Sequence, residues 1–280
     1  MTSNPPTPQP PIEPAVPPAW EPTMGMSALR ITNVRAICTA PDGIRLVVVK
    51  IETSEPGLYG VGCATFTQRP LAVVTAVEEY LKPFLLGRDP NDIEDIWQAC
   101  YVSSYWRSGP VLNNALSGVD QALWDIKGKR AGMPVYQLLG GKCRRAADVY
   151  VHASGGSVEE VEENVRRYME QGYRHIRAQI AVPGYATYGS QIKPQGAEPT
   201  GGTVPYHLRP NQAPWEPGPY ARLVPKLFDH LRATVGWEIE LLHDIHERIP
   251  PITAIGLAKE LEQYKLFFLE DPFAPEEGIS

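Results

Sequence analysis

The feature that most constrains the fold is a regular alternation of strand and helix patterns that begins near residue 146. Short apolar segments, typical of buried strands, alternate with longer segments that place apolar residues on one helical face. The predicted strands cover residues 147–154, 173–180, 238–246 and 266–271, and the predicted helices between them cover 158–172, 220–236 and 253–265. Repeated βα units of this kind form a parallel sheet with right-handed crossovers. We therefore predict a parallel sheet covered by helices.

The residues before this repeat follow a different order, with strands first and helices afterwards. Alternating apolar and polar residues predict an antiparallel meander over 29–40, 44–53 and 57–66. Helical patterns follow over 71–87, 90–106 and 111–132. In the last of these, Ala115, Val119 and Ala122 fall on one helical face. A sheet followed by helices predicts an α+β domain.

These patterns divide the chain into three segments. Residues 1–27 are rich in proline and predict a disordered extension, whereas residues 28–140 form the predicted α+β domain. Residues 141–280 contain four predicted strands of the repeat, whereas a complete (β/α)₈ barrel of the TIM type needs eight. An open doubly wound sheet could also use these strands, but no GxGxxG motif follows the first one. A Gly- and Pro-rich stretch at about 181–217 suggests a functional loop or lid.

Composition and charge argue against several classes of function. The net charge is −6 and the pI is about 5.6, which argues against a nucleic-acid binder because phosphate contacts need a basic surface. No apolar run reaches about 18 residues, so we predict no transmembrane helix and no membrane partner. The cysteines are scattered without a CxxC pair, which indicates reduced thiols in a cytoplasmic protein.

Acidic residues stand at the ends of two consecutive predicted strands. Asp244 ends one strand, with His246 two residues later on the same predicted strand face, and Glu270 ends the next strand. In a barrel these ends are neighbours at the catalytic mouth. Their carboxylates suit a hard cation such as Mg²⁺. The alternative is structural, because acidic residues often end strands and cap the helix that follows.

Further polar residues lie on the preceding strands and in the long loop. Arg177 and Gln179 share one face of their strand, and the guanidinium could clamp a carboxylate or lower the pKa of a neighbour. His152 ends the first barrel strand, and Tyr188 follows in the loop. Each has a structural alternative: a solvated arginine, a hydrogen-bonded histidine and an ordinary loop tyrosine.

A long motif then identifies a resemblance. The segment DQALWDIKGKRAGMPVYQLLGG (120–141) resembles the domain junction of the mandelate racemase and muconate cycloisomerase branch of the enolase superfamily. That resemblance implies an α+β capping domain of the enolase type over residues 28–140. It also implies that residues 141–280 are the first half of an incomplete α/β barrel, a modified (β/α)₈ barrel of the TIM type. Segments such as YWRSGP (105–110), HIRAQIAVPG (175–184) and HDIHER (243–248) are similar to the acid-sugar dehydratase group of mannonate and gluconate dehydratases. Racemases of the branch carry Lys-x-Lys where this chain reads Arg177-Ala178-Gln179, which favours the dehydratases.

The resemblance assigns a role to each candidate residue. It implies Asp244 and Glu270 as Mg²⁺ ligands, Arg177 and Tyr188 as the pair that removes the C2 proton, His246 as the general acid for the 3-hydroxyl, and His152, Gln179 and Thr67 as substrate contacts. The implied reaction is Mg²⁺-dependent dehydration of a small acid sugar, D-mannonate or D-gluconate, to a 2-keto-3-deoxy sugar acid. Homo-oligomers are common among full-length members of the family.

Two departures from the family pattern leave alternatives open. Thr67-Gln68 stand in a loop where mannonate enzymes carry an asparagine, which leaves gluconate open beside mannonate. The chain reaches Ser280 before the third metal-binding glutamate of the family, so we expect a C-terminally truncated protein that is inactive alone. The alternative functions are a noncatalytic truncated homologue, or a racemase or epimerase of the same superfamily.

Overall fold

The computed structural model describes residues 28–182 and 216–275. The proline-rich segment 1–27 and most of the predicted long loop lie outside the described residues. The chain divides into two compact units, with the boundary along the sequence between Gly141 and Lys142. Each unit has its own hydrophobic core. Within the described residues, no helix has the length and apolarity needed to cross a membrane.

The first unit contains a three-stranded antiparallel sheet. Its strands are β1 (Ile31–Thr39), β2 (Leu46–Thr53) and β3 (Tyr59–Cys63), in the order β1-β2-β3. A short 3₁₀ turn, Pro41–Gly43, joins β1 to β2. Along β2, Val47, Val49 and Ile51 are fully buried while the residues between them are only partly buried. This alternation is the one that the sequence predicted, and it turns one face of the sheet toward the helices.

Helices follow the sheet along the chain of the first unit, and the longest of them packs directly on it. They are α1 (Pro70–Thr75) and α2 (Lys82–Leu85), joined by a π-helical segment (Ala76–Leu81), followed by α3 (Ile93–Val102), α4 (Pro110–Ala131) and α5 (Val135–Leu138). The single helix predicted over 71–87 is therefore interrupted by a wider turn, because apolar periodicity alone does not reveal a local change of pitch. The helix predicted over 90–106 is shorter at both ends.

Helix α4 lies unusually close to β3, and glycines make this approach possible. A Cβ atom at Gly60 would be 1.9 Å from the Ala122 carbonyl oxygen, and one at Gly62 would be 2.1 Å from the Gly118 carbonyl oxygen. Any side chain at these positions would overlap with the helix backbone. The glycines of the GVG segment therefore set the distance between sheet and helix.

Side chains of α4 also satisfy the outer edge of β3. The Asp125 carboxylate accepts a hydrogen bond from Val61 N at 2.9 Å, and Gln121 Oε1 accepts one from Cys63 N at 3.1 Å. Lys129 donates to the Tyr59 carbonyl oxygen at 2.8 Å. These residues recur at intervals of four along the helix and take the place of a neighbouring strand. The edge of the sheet is therefore protected from pairing with another chain.

The second unit contains a parallel sheet with a helix after each of its first three strands. Its strands are β4 (Tyr150–Gly155), β5 (His175–Ile180), β6 (Glu240–Asp244) and β7 (Leu269–Glu270), in the order β4-β5-β6-β7. Its helices are α6 (Val158–Glu170), α7 (Pro217–Thr234) and α8 (Pro251–Leu261), the last extended by a 3₁₀ turn, Glu262–Tyr264. The predicted fold class, an α+β capping domain followed by part of an α/β barrel, is confirmed.

The two faces of β5 have different surroundings. Ile176, Ala178 and Ile180 belong to the buried apolar cluster that the sheet forms with its helices. Arg177 and Gln179 alternate with them and are also buried, at 3% and 1% exposure. Because successive side chains of a strand point to opposite faces, the polar pair lies on the face away from the helices. The fold therefore buries an arginine and a glutamine at one end of the sheet.

Two local predictions were wrong. The strand predicted over 266–271 is reduced to Leu269–Glu270, and Phe267 and Phe268 lie before it. Strand β6 ends at Asp244, and His246 lies beyond it with a φ of 55°. Asp244 and His246 therefore do not share a strand face. Apolar content predicted both strands, but main-chain pairing and a turn decided where they ended.

Candidate active site

Polar side chains from all four strands meet at the carboxyl end of the parallel sheet. In the strand register, His152 of β4 is opposite Arg177 of β5, and Asp244 of β6 is opposite Glu270 of β7. The carboxyl ends of parallel strands face the same edge, which brings together groups that are far apart in sequence. This edge is the place where barrel enzymes collect their catalytic groups.

Arg177 lies at the centre of the cluster. Its Nη1 donates to Asp244 Oδ2 in a short hydrogen bond and to Glu270 Oε2 at 3.4 Å. Its Nη2 is 3.2 Å from His152 Nδ1. Because a guanidinium only donates, Nδ1 of His152 accepts this bond. Burial, together with the nearby Arg177 charge, lowers the pKa of His152. The arginine therefore offsets part of the negative charge of two carboxylates and, together with desolvation, favours the neutral form of the adjacent imidazole.

Asp244 is held by groups on both sides of it in the chain. Its Oδ1 accepts the backbone N–H of His246 at 2.8 Å, and its Oδ2 is 2.7 Å from Nε2 of the same histidine. Gln179 Nε2 donates to the Asp244 carbonyl oxygen at 2.8 Å. The positive φ of His246 folds the chain back so that its imidazole reaches the carboxylate. A turn, and not the predicted strand alternation, therefore joins these two residues.

Three buried polar atoms in this cluster lack a hydrogen-bond partner among the described residues. They are Arg177 Nε, Gln179 Oε1 and His246 Nδ1. Such atoms are rare in folded proteins because desolvation without a partner is unfavourable, so each requires an explanation. Two donor-capable nitrogens and one acceptor oxygen belong to neighbouring residues of one network. The cluster therefore has hydrogen-bonding capacity left for a polar ligand.

Tyr150 joins the cluster although the sequence analysis did not single it out. Its hydroxyl lies 3.3 and 3.5 Å from the two carboxylate oxygens of Glu270. Burial and the neighbouring Glu270 charge raise the pKa of Tyr150, so the phenol stays protonated and donates. One signal was available, because Tyr150 stands two residues before His152 on β4 and therefore shares its face.

A fully buried histidine, His243, lies on the face of β6 opposite Asp244. His243 Nδ1 is 2.8 Å from the Ala178 carbonyl oxygen, and its Nε2 is 2.7 Å from the Tyr220 hydroxyl. Complete burial lowers the pKa of His243 to about 4. The ring is therefore neutral near pH 7, donates from Nδ1 to the carbonyl and accepts at Nε2 from the phenol. These bonds tie β6 to β5 and to the first turn of α7, directly beside Asp244.

The structure thus brings together six of the residues that the sequence analysis selected. They are His152, Arg177, Gln179, Asp244, His246 and Glu270. Thr67 belongs to the first unit, where it lies between β3 and α1 and its hydroxyl donates to Gln68 Oε1 at 2.9 Å. Tyr188 lies outside the described residues.

The carboxylates of this cluster fit a divalent cation. Asp244 and Glu270 both bond the same guanidinium nitrogen, so their oxygens converge on one position that already holds positive charge. Within residues 28–182 and 216–275, no group of three or more His, Cys, Asp or Glu side chains forms a metal site. A pair of carboxylates with water or substrate oxygens in the remaining positions is a common arrangement for Mg²⁺.

Comparison with known proteins agrees with this architecture. The N-terminal domain model of mandelate racemase and muconate lactonizing enzyme matches residues 28–140, and the enolase C-terminal domain-like model matches residues 160–280. A D-galactonate dehydratase family member of Salmonella virchow is 57% identical over 261 residues, which cover 90% of this chain and 61% of that protein. The family member RspA of Pantoea ananatis is 58% identical over 255 residues, with the same coverage of 90% and 61%.

Solved structures give the same result. An enolase from Pantoea ananatis, solved with bound D-gluconate and Mg, is 56% identical with a TM-score of 0.76, and the match covers 89% of this chain and 61% of that chain. An enolase-superfamily member from Salmonella Typhimurium is 25% identical with a TM-score of 0.69, covering 88% and 62%. The chain thus spans about 61% of the length of the curated relatives cited above. It belongs to the mandelate racemase and muconate lactonizing enzyme branch of the enolase superfamily, in the acid-sugar dehydratase group.

Proposed function

We propose that the protein dehydrates a small acid sugar, D-gluconate or D-mannonate, to a 2-keto-3-deoxy sugar acid in a Mg²⁺-dependent reaction. One observation supports this proposal above the others: two carboxylates converge on one position beside an imidazole whose buried Nδ1 has no partner among the described residues. Since the chain spans about 61% of its relatives, the activity proposed is that of a complete protein to which these residues contribute.

Asp244 and Glu270 would hold the metal. Their donor set consists only of oxygen atoms, which suits Mg²⁺ better than a softer ion. The bound ion would supply the positive charge that stabilises the negative charge developing on the substrate carboxylate as the C2 proton leaves. Gln179 and His246 fix the backbone and the side chain of Asp244, so this ligand would need little reorganisation to bind.

Arg177 and Tyr188 would remove the C2 proton. A phenol is a weak base at neutral pH unless a cation lowers its pKa, and a guanidinium beside it would provide that charge. Arg177 Nε, which has no partner among the described residues, is a donor that could stabilise a phenolate oxygen. The pairing itself rests on the family resemblance, because Tyr188 lies outside the described residues.

His246 would protonate the leaving 3-hydroxyl. Its Nε2 lies 2.7 Å from Asp244 Oδ2, a contact that orients the ring. Nδ1 would then be the atom that gives the proton, since it has no partner among the described residues. His152 and Gln179 would contact substrate hydroxyls, and we propose Thr67 as a further substrate contact on the basis of the resemblance alone.

The choice of dehydration over racemisation depends on Arg177. A racemase must protonate and deprotonate the same carbon, and the relatives that do so carry a lysine pair on this strand. A guanidinium stays protonated at any physiological pH and cannot replace a lysine base. A histidine placed to give a proton to a leaving group is, in contrast, what a dehydration requires.

The test is an assay of the complete protein with Mg²⁺ on D-gluconate, D-mannonate and D-galactonate, following the 2-keto-3-deoxy product. We expect product from at least one acid, and a loss of about 100-fold or more in His246→Asn, the range typical of a missing general acid. His175→Asn is the matched control, because His175 begins β5 and packs edge-on against Phe267 at the other end of the strand. A protein that binds Mg²⁺ and dehydrates none of the three acids would refute the proposal, as would full activity in His246→Asn.

A further inference from the structure

We propose that Tyr150 is a positioning residue for the second carboxylate of the metal site, and that its hydroxyl holds Glu270 in the orientation that binds the cation. This inference rests on the proposed function, because it assumes that Glu270 is a Mg²⁺ ligand. It assigns a role to a residue of β4 that acts through Glu270 and does not itself bind the ion.

Glu270 needs such support more than Asp244 does. Its strand contains two residues, it pairs with β6 at two positions, and Asp271 immediately after it has a φ of 44°. The Glu270 side chain is 28% exposed, compared with 1% for Asp244. Among the described residues, its side-chain hydrogen bonds come from Tyr150, at 3.3 and 3.5 Å, and from Arg177 at 3.4 Å, so neither donor holds it by a short bond.

The bond from Arg177 cannot persist unchanged when a cation binds. Its Nη1 occupies the position between the two carboxylates, and a guanidinium nitrogen and a metal ion compete for the same oxygen lone pairs. Tyr150 approaches Glu270 from β4, at the opposite edge of the described sheet from β7. Its hydroxyl can therefore stay bonded while Arg177 moves, which makes it the donor that orients Glu270 in both states.

The ring of Tyr150 is itself fixed by its neighbours. It stacks on the His152 ring with centroids 5.5 Å apart and an interplanar angle of 29°, and it meets the edge of Phe268 at 5.9 Å. The Arg177 guanidinium lies 6.0 Å from the ring centroid. Each of these contacts involves the ring and not the hydroxyl. Phenylalanine would keep them all and remove only the hydrogen bond to Glu270.

The decisive measurement is Mg²⁺ affinity, because a purely structural role would not change it. We would titrate the complete protein with Mg²⁺ by calorimetry and record thermal unfolding without metal. In Tyr150→Phe we expect Mg²⁺ binding to weaken by about tenfold, the lower end of the range for a residue that supports a metal ligand. The metal-free unfolding midpoint should stay close to that of the wild type.

Tyr168→Phe is the matched control, since Tyr168 lies on α6 and its ring packs against Tyr173; its Mg²⁺ affinity should be unchanged. Tyr150→Leu removes ring and hydroxyl together and should lower both affinity and stability. Wild-type affinity in Tyr150→Phe would overturn the inference, even if that variant were less stable. If the wild type itself bound no Mg²⁺, the metal site of the proposed function would be refuted. The role inferred for Tyr150 would then be refuted as well, because it depends on that site.

Discussion

Replacing Arg177 with methionine tests whether its guanidinium is the internal counter-charge of the two carboxylates. Arg177 is 3% exposed and its partner Asp244 is 1% exposed, so both charges are buried. Removing one partner of a buried ion pair leaves an uncompensated charge and destabilises a protein by about 3–5 kcal/mol. The pair with Glu270 adds less, because that carboxylate is 28% exposed and water screens it. We expect Arg177→Met to lose about 3–5 kcal/mol of unfolding free energy without metal.

Added Mg²⁺ should restore part of the unfolding free energy that Arg177→Met loses. The guanidinium no longer competes for the carboxylate oxygens in Arg177→Met, so the variant should bind Mg²⁺ more tightly than the wild type. A ligand at 100 times its Kd stabilises the folded state by about 2.7 kcal/mol. Urea unfolding of both proteins, with and without Mg²⁺, measures the two effects together. The stabilisation by Mg²⁺ should be larger in the variant, although we expect the proposed dehydratase activity to be lost.

Arg174→Met is the control for this experiment, because Arg174 is exposed and lies three residues before Arg177. An exposed substitution of this kind changes stability by about 0.5 kcal/mol or less. Two results would contradict the reasoning. One is a metal-free Arg177→Met protein as stable as Arg174→Met. The other is equal stabilisation of wild type and variant by Mg²⁺, which would mean that ion and guanidinium do not share the carboxylates.

Two further predictions concern packing and pH. Gly62→Ala should destabilise the first unit by about 1–3 kcal/mol in urea unfolding, because its Cβ would be 2.1 Å from the Gly118 carbonyl oxygen. Gly256→Ala is the control: nothing lies within 4 Å of its Cβ, so the same experiment should find it neutral or slightly stabilising. Burial lowers the pKa of His243 from 6.5 to about 4. Between these pH values the unfolded chain binds a proton at His243 that the folded chain does not bind. Lowering the pH across this range therefore destabilises the native state. His243 contributes at most about 1.4 kcal/mol of unfolding free energy per pH unit. The plot of unfolding free energy against pH should therefore be less steep in His243→Gln than in the wild type. Identical slopes in the two proteins would refute this prediction.

Several features of this fold were predictable because they depend on local pattern. The βα repeat follows from short apolar segments that alternate with amphipathic ones, and the meander follows from alternation along β2. The convergence of Asp244 and Glu270 was predictable for a related reason. Both end strands separated by one βα unit, and the carboxyl ends of consecutive parallel strands are adjacent in a barrel.

Other features could not be derived from pattern. The bond from Tyr150 to Glu270 joins residues 120 positions apart, across strands that are not neighbours in the sheet. The approach of His246 to Asp244 depends on a positive φ in a residue that is not glycine, which no periodicity indicates. The shortness of β7 was hidden because an apolar run predicts burial, whereas the extent of a strand depends on main-chain pairing.

The sequence by itself therefore determined the order of elements, the two-part architecture and the types of chemical group at the strand ends. These depend on side-chain hydrophobicity and its spacing, which are local properties. Only the tertiary structure decided which groups meet: that one guanidinium contacts two carboxylates, that Tyr150 reaches Glu270, and that Gln179 and His246 each bury a polar atom without a partner in residues 28–182 and 216–275. Such contacts join distant parts of the chain at specific angles, and curvature of the sheet, strand register and turn geometry set those angles jointly.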